Sequence, residues 1–212
     1  MFLAHFAVGL VASRAERRLP LGTAFLAAQL PDVLWPFLLL AGVERVAIAP
    51  GDTAVTPLRF EHYPWSHSLL MVVAWGFAFA ALYGLVFRRP SRAALLLAPL
   101  VISHWLLDAA SHRPDVPVLP AGGPFVGLRL WDSRPWTLLV EGGLFATAVG
   151  LFARGRRVGL SYWALVAFLA AAYAAAVFGP PPPSPQAIGL SMIPVGPLVW
   201  WWGNKAAAYE GS

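Results

Sequence analysis

Polar residues are sparse along this chain and fall in short clusters between long apolar runs. The runs at about 22–43, 66–87, 93–110, 136–153, 159–178 and 187–203 each come near the roughly 20 residues that a helix needs to cross a bilayer. A first run, 1–13, is shorter; it either dips partway into the bilayer or is a span completed by the protein around it. "PPPPSP" at 180–185 reads as a stiff loop, because proline removes a backbone donor and its ring clashes with the preceding turn. The pattern predicts an all-α polytopic membrane helical bundle of about six to seven segments. It forms a single integral membrane domain over 1–212, with the polar motifs in 1–150 and two additional membrane helices in 151–212. Between segments four and five lies a longer loop, "RPDVPVLPAGGPFVGLRLWDSRPW", whose Phe125, Leu130 and Trp131 favour an ordered lid over a loose connection.

Composition strengthens the membrane reading. The chain is 58% hydrophobic and only 12% charged, with mean hydropathy +0.65, against a charged fraction of about 25% in soluble domains. There is no Cys, so any metal must be held by nitrogen and oxygen, and the five His become the residues of interest. The net charge of +5 does not point to nucleic acid, since the basic residues sit between apolar runs. The start, "MFLAHFAVGLVASRAERR", is apolar first and basic afterwards, the reverse of a secretory signal, and reads as mature sequence.

Charge also orients the bundle. In a seven-segment weave, Arg14, Arg17, Arg18, Arg88, Arg89, Arg92, Arg154, Arg156, Arg157 and Lys205 share one side, against Arg45, Arg59, Arg113, Arg129 and Arg134 on the other. Basic loops stay cytoplasmic, so the loops at 44–65 and 111–135 face outward. The acids sort the opposite way, with only Glu16 and Glu210 on the cytoplasmic side. His5, Asp32, His62, His67, His104, Asp108 and Glu141 then fall at one outer depth, from five segments. Trp65, Trp105, Trp131, Trp136 and Trp200 to Trp202 read mostly as an interfacial aromatic belt.

Independent caps have no reason to share a depth, so the clustering favours a shared site. In "SHWLLDAASHRPD", His104 and Asp108 are four apart and lie on one helix face. His112 follows on that face if the helix lasts so far, Pro114 marks its end, and Asp115 is expected to sit in water. Imidazole with carboxylate is a ligand set for zinc, manganese or iron. In "PWSHSLL", Ser66 is either the N-cap of segment three, with His67 in its wet first turn, or His67 belongs to the site. Asp32 sits inside an apolar run, where an unpaired carboxylate costs several kcal/mol; the break at Pro31 offers it a capping role as the alternative.

Four motifs in order, "AHFAVG", "LPD", "SHSL" and "SHWLLD", resemble the bacterial inner-membrane family of predicted membrane-bound metal-dependent hydrolases, a domain of unknown function. "HRPDVPVLPAGGPFVGLRLWDS" followed by "TLLVEGGLF" is similar to an uncharacterised branch with the same front half, so the resemblance covers about residues 1–150. It implies that His5, Asp32, His67, His104 and Asp108 bind metal. Two positions depart from the commoner pattern. Val33 and Leu34 stand where a second acid is usual, and "YPWSHS" replaces "HRGxTHS", with His62 upstream. His62 and His112 are additional candidates, and a lost ligand implies either one metal where relatives hold two or lost activity.

The expected function is a membrane-embedded hydrolase of a phosphoester or ester in a lipid or lipid-linked substrate. One or two divalent ions, zinc before manganese, activate water. Asp108 or Glu141 serves as general base, and Arg113 and Arg129 hold a phosphate in bidentate forks. Expected partners are membrane lipids and the substrate, with no nucleic acid. The expected location is the bacterial inner membrane, multi-pass, with the site facing outward. The competing readings are a proton- or cation-coupled transporter using the same cluster and a non-catalytic membrane protein whose polar residues only bridge helices; oligomeric state is left open.

Overall fold

Where apolar sequence runs without a breaker, the helix runs with it. A computed structural model describes residues 1–87 and 92–207; Arg88, Arg89 and Glu210 of the charge argument lie outside the described residues. In chain order the helices are α1 (Leu3–Ala15), α2 (Leu21–Ala28), α3 (Leu30–Leu40), α4 (Pro64–His67), α5 (Leu69–Phe87), α6 (Arg92–Ser111), α7 (Arg134–Ala153), α8 (Leu160–Phe178), α9 (Pro185–Met192) and α10 (Val195–Ala207). Among the described residues, α5, α6, α7 and α8 are long and apolar enough to cross a membrane, and α2 with α3 makes a fifth candidate if the pair is one span.

The architecture is the expected helical bundle, and among the described residues four to five of the six to seven expected segments are long and apolar enough to span. Proline accounts for much of the difference. The run at 22–43 breaks at Gln29, two residues before Pro31, and its halves meet at 54°. The run at 187–203 divides around Pro194 into α9 and α10, neither of span length. Helix α1 has 13 residues, about 20 Å at 1.5 Å per residue, against a hydrocarbon core of about 30 Å. It is buried on most faces and packs on α2, α6 and α7, so it is a central post.

Two small antiparallel hairpins interrupt the all-α plan. The first pairs β1 (Arg45–Ile48) with β2 (Leu58–His62), and the second pairs β3 (Val116–Pro117) with β4 (Phe125–Val126). Inside the first, Thr53 Oγ1 accepts from the N–H groups of Val55 and Thr56 and closes the turn. The second is seated on the end of α6: Leu128 N–H donates to Ala109 O and Arg129 N–H to His112 O. Gly127 is required there, since a Cβ would lie 2.0 Å from the Arg113 carbonyl oxygen. The 111–135 loop is therefore ordered. Of its three large residues, Trp131 reaches inward while Phe125 is exposed.

The core divides around the central post. Phe6, Leu10, Phe25, Phe145, Phe152, Tyr162 and Leu165 pack on one side, and Val72, Leu97, Leu100 and Val101 on the other. Trp105 is buried and donates to Pro117 O at 2.9 Å, and Trp202 donates to Ser161; both depart from the belt reading, whereas Trp65, Trp136, Trp200 and Trp201 are exposed as it expects.

Helices α2 and α10 approach so closely that a Cβ at Gly22 would fall 1.9 Å from the Trp200 carbonyl oxygen. Backbone cannot yield cheaply, so Gly22→Ala is expected to cost about 1–3 kcal/mol, read as a lower melting temperature in detergent. Gly84→Ala, with nothing within 4 Å of the added methyl, should leave that temperature nearly unchanged.

Candidate metal centre

The break between α2 and α3 creates two parts of the site together. A helix end leaves its last carbonyls without intrahelical partners, and the carbonyl of Ala28, the last residue of α2, accepts from His104 Nδ1 at 2.8 Å. On the far side of the break, Asp32 stands in the first turn of α3. Its carboxylate makes no cap there and instead lies 3.3 Å from His67 Nε2 and 3.8 Å from His104 Nε2.

Helix α6 contributes His104 and Asp108 on one face, as their four-residue spacing requires. Asp108 Oδ1 lies 3.1 Å from His5 Nε2, and Oδ2 lies 3.1 Å from His104 Nε2 and 3.9 Å from His67 Nε2. The Met1 amino group donates to the same Oδ1 at 2.5 Å and pairs with it as an ammonium. The His5 and His104 rings stack face to face with centroids 3.8 Å apart. All four residues that α1, α4 and α6 bring here are buried, while Asp32 keeps a third of its side chain open.

Hydrogen positions follow from the partners. A carbonyl only accepts, so His104 carries a proton on Nδ1, and in the neutral ring it presents the Nε2 lone pair inward. That Nε2 is buried without a hydrogen bond although two carboxylates face it. His67 is held the same way. Glu44, buried in the turn after α3, accepts Ser66 N–H on Oε1 at 2.8 Å and the Ser66 hydroxyl on Oε2 at 2.6 Å. With its hydrogen so committed, Ser66 Oγ accepts from His67 Nδ1 at 2.6 Å, which turns the second Nε2 lone pair toward Asp32 and Asp108. Ser66 lies inside α4, and it is Ser68 whose hydroxyl faces the N–H of Met71 at the start of α5. The capping reading of Ser66 gives way to this relay.

Two overlapping triads have donor spacings suited to a metal ion, His5–His104–Asp108 and Asp32–His67–His104. The contacts among Asp32, His67, His104 and Asp108, at 3.1, 3.3, 3.8 and 3.9 Å, bracket the edge of a tetrahedron with bonds near 2.1 Å, about 3.4 Å. Donor chemistry and the orphaned Nε2 both fit a divalent cation. Both triads need the one lone pair of His104, so they form a single centre.

The remaining sequence candidates divide. Glu141 is fully buried and lines the same cavity, but its Oε2 accepts the N–H groups of Phe2 and Leu3 at 2.7 and 2.9 Å; it caps α1 and so positions His5. His112 lines the cavity under Trp131, ring centroids 4.3 Å apart, outside both triads. Asp115 is not simply in water: it accepts from Tyr63 OH and from Arg113 and lies 3.0 Å from His112 Nδ1. His62, on β2, lies in an outer groove. Arg113 is paired with both Asp52 and Asp115, and Arg129 with Asp132; neither reaches the cavity. Arg113, and then Arg59, hold the Asp52 carboxyl down at about 2, so the Arg113 guanidinium is already engaged.

The comparisons with known proteins add the membrane family. The model of a family described as YdjM inner membrane protein matches residues 1–180, beyond the 150 residues that the motifs cover. No curated protein and no solved structure matches the chain.

Proposed function

The chain belongs to the YdjM inner membrane protein family, and from that premise we propose that it is a membrane-embedded, metal-dependent hydrolase of a lipid or lipid-linked ester. His67, His104, Asp108 and one oxygen of Asp32 would hold one divalent ion, zinc before manganese, with a further position left for water and His5 the partner of Asp108. The observation that carries the reading is His104 Nε2, buried without a hydrogen bond of good geometry and set against two carboxylates at 3.1 and 3.8 Å; with the ring neutral, that arrangement is repulsive unless a cation lies there. When bound, such an ion supplies the Lewis acidity that makes water a nucleophile near neutral pH.

The chain's own residues supply the rest. Asp108 has both oxygens engaged and Glu141 caps α1, which leaves Asp32, the most open carboxylate and one with a partner only on Oδ1 among the described residues, to take the proton from water. Trp131 and His112, from the 111–135 loop, form part of the cavity wall beside the cluster. The weave of the chain places Arg14, Arg154 and Lys205, at the C-terminal ends of α1, α7 and α10, opposite the His and Asp cluster. That supports an outward-facing site on the positive-inside rule.

Elemental analysis of protein purified without added metal is expected to give about one equivalent of a divalent transition ion. Chelation should abolish ester hydrolysis and zinc restore it. Protein that stays folded yet takes up no ion at excess zinc or manganese would overturn the proposal.

A further inference from the structure

The cavity above the cluster holds about 160 Å³ and has two unlike walls. One carries Asp32, Asp108 and Glu141; the other is built from Trp35, Phe60, Tyr173, Ala176, Val177 and Met192. Four of these last come from α8 and α9, and Tyr173, Ala176 and Val177 stand in the last two turns of α8, a candidate span, so the apolar wall lies at one end of that span. Among the described residues no Lys or Arg lines this space. Phosphate recognition ordinarily rests on guanidinium or ammonium groups, and the two arginines nearest in sequence, Arg113 and Arg129, are paired with Asp52, Asp115 and Asp132.

From this we infer that the substrate is an uncharged carboxylic ester with a hydrocarbon chain, and that phosphoesters are excluded. The inference rests on the hydrolytic reading above and narrows its substrate. Three carboxylates already balance the charge of one divalent ion and of the Met1 amino group paired with Asp108, so a phosphate would bring uncompensated charge into a low-dielectric space with no Lys or Arg to offset it. A carboxylic ester enters neutral, and charge develops on its carbonyl oxygen only as water adds. In the reaction the water oxygen bonds to the acyl carbon and the bond from that carbon to the alkoxy oxygen breaks. Asp32 receives a proton from the water and passes it to the departing alkoxide, giving one carboxylic acid and one alcohol. The hydrocarbon chain lies along Tyr173, Val177 and Met192.

The test uses zinc-loaded, full-length protein in phospholipid vesicles, with p-nitrophenyl esters of acetic to palmitic acid set against p-nitrophenyl phosphate and bis-p-nitrophenyl phosphate. Carboxylic esters should be hydrolysed at least about 100-fold faster than either phosphate, since uncompensated charge in a low-dielectric space carries a penalty of that order, and kcat/KM should rise with chain length. Ala176→Trp, at an exposed position on the apolar wall, should move the optimum to shorter chains with metal content unaltered, and Met192→Trp should do the same from the opposite side. Faster turnover of either phosphate, or no dependence on chain length, overturns the inference and leaves the metal-dependent hydrolase standing. Failure of the metal-loaded protein to hydrolyse any of these esters overturns the hydrolase reading itself.

Discussion

His104→Ala is expected to empty the centre. Its imidazole is the donor common to both triads and is completely buried, so its loss removes a ligand from every arrangement the cluster allows. The fall in metal affinity should exceed the roughly 10–100-fold typical of losing an outer partner, and ester hydrolysis should fall to background. Truncation also leaves the Ala28 carbonyl and the face of His5 without their partner, so the fold could loosen for reasons unrelated to metal. Asp32→Asn, at the most open carboxylate of the cluster, separates the two effects. Asparagine keeps the shape and still offers one oxygen, so the melting temperature in chelator should change little, while the charge that balances the cation is gone. Metal content and turnover should fall together in both variants. A folded variant of either kind that retains wild-type metal and activity rules the centre out.

The gathering of His5, Asp32, His67, His104 and Asp108 was legible because it depends on depth, and depth follows from where apolar runs begin and end. The run lengths themselves misled where proline sits inside them: Pro31 and Pro194 keep the hydropathy of a span and break its helix. The hairpins at 45–62 and 116–126 carry no strong strand alternation and are held by Thr53 and by the close approach at Gly127, which are tertiary facts. Arg113 and Asp115 looked free because their partners, Asp52 and Tyr63, are about fifty to sixty residues away in the chain. Glu44 was the residue most thoroughly missed. Its one sequence signal was an acid in an outward loop, indistinguishable there from the exposed Glu61, and only the packing of that turn against α4 makes it matter.

Glu44→Gln is for that reason the more informative substitution, because it should cost metal and little else. The carboxylate accepts both Ser66 hydrogens and so obliges Ser66 Oγ to accept from His67 Nδ1. An amide in the same place keeps one acceptor for the Ser66 N–H and turns its NH₂ toward the hydroxyl oxygen. The hydroxyl hydrogen then swings to His67 Nδ1, the ring proton moves to Nε2, and the lone pair that faced Asp32 and Asp108 is gone. Zinc affinity should fall about 10–100-fold, the range for outer-shell partners, with near-normal stability. Glu44→Ala, by contrast, strands two buried donors and should cost about 1–3 kcal/mol in addition. Competition titration with a zinc indicator measures the affinity, and ¹⁵N shifts of the His67 ring report which nitrogen carries the proton. A purely structural Glu44 predicts that affinity follows stability across the two variants. The relay predicts that they part, and that adding Ser66→Ala to Glu44→Gln recovers affinity by removing the hydroxyl that enforces the wrong tautomer. If the double variant binds zinc no better than Glu44→Gln alone, the relay does not set the His67 tautomer.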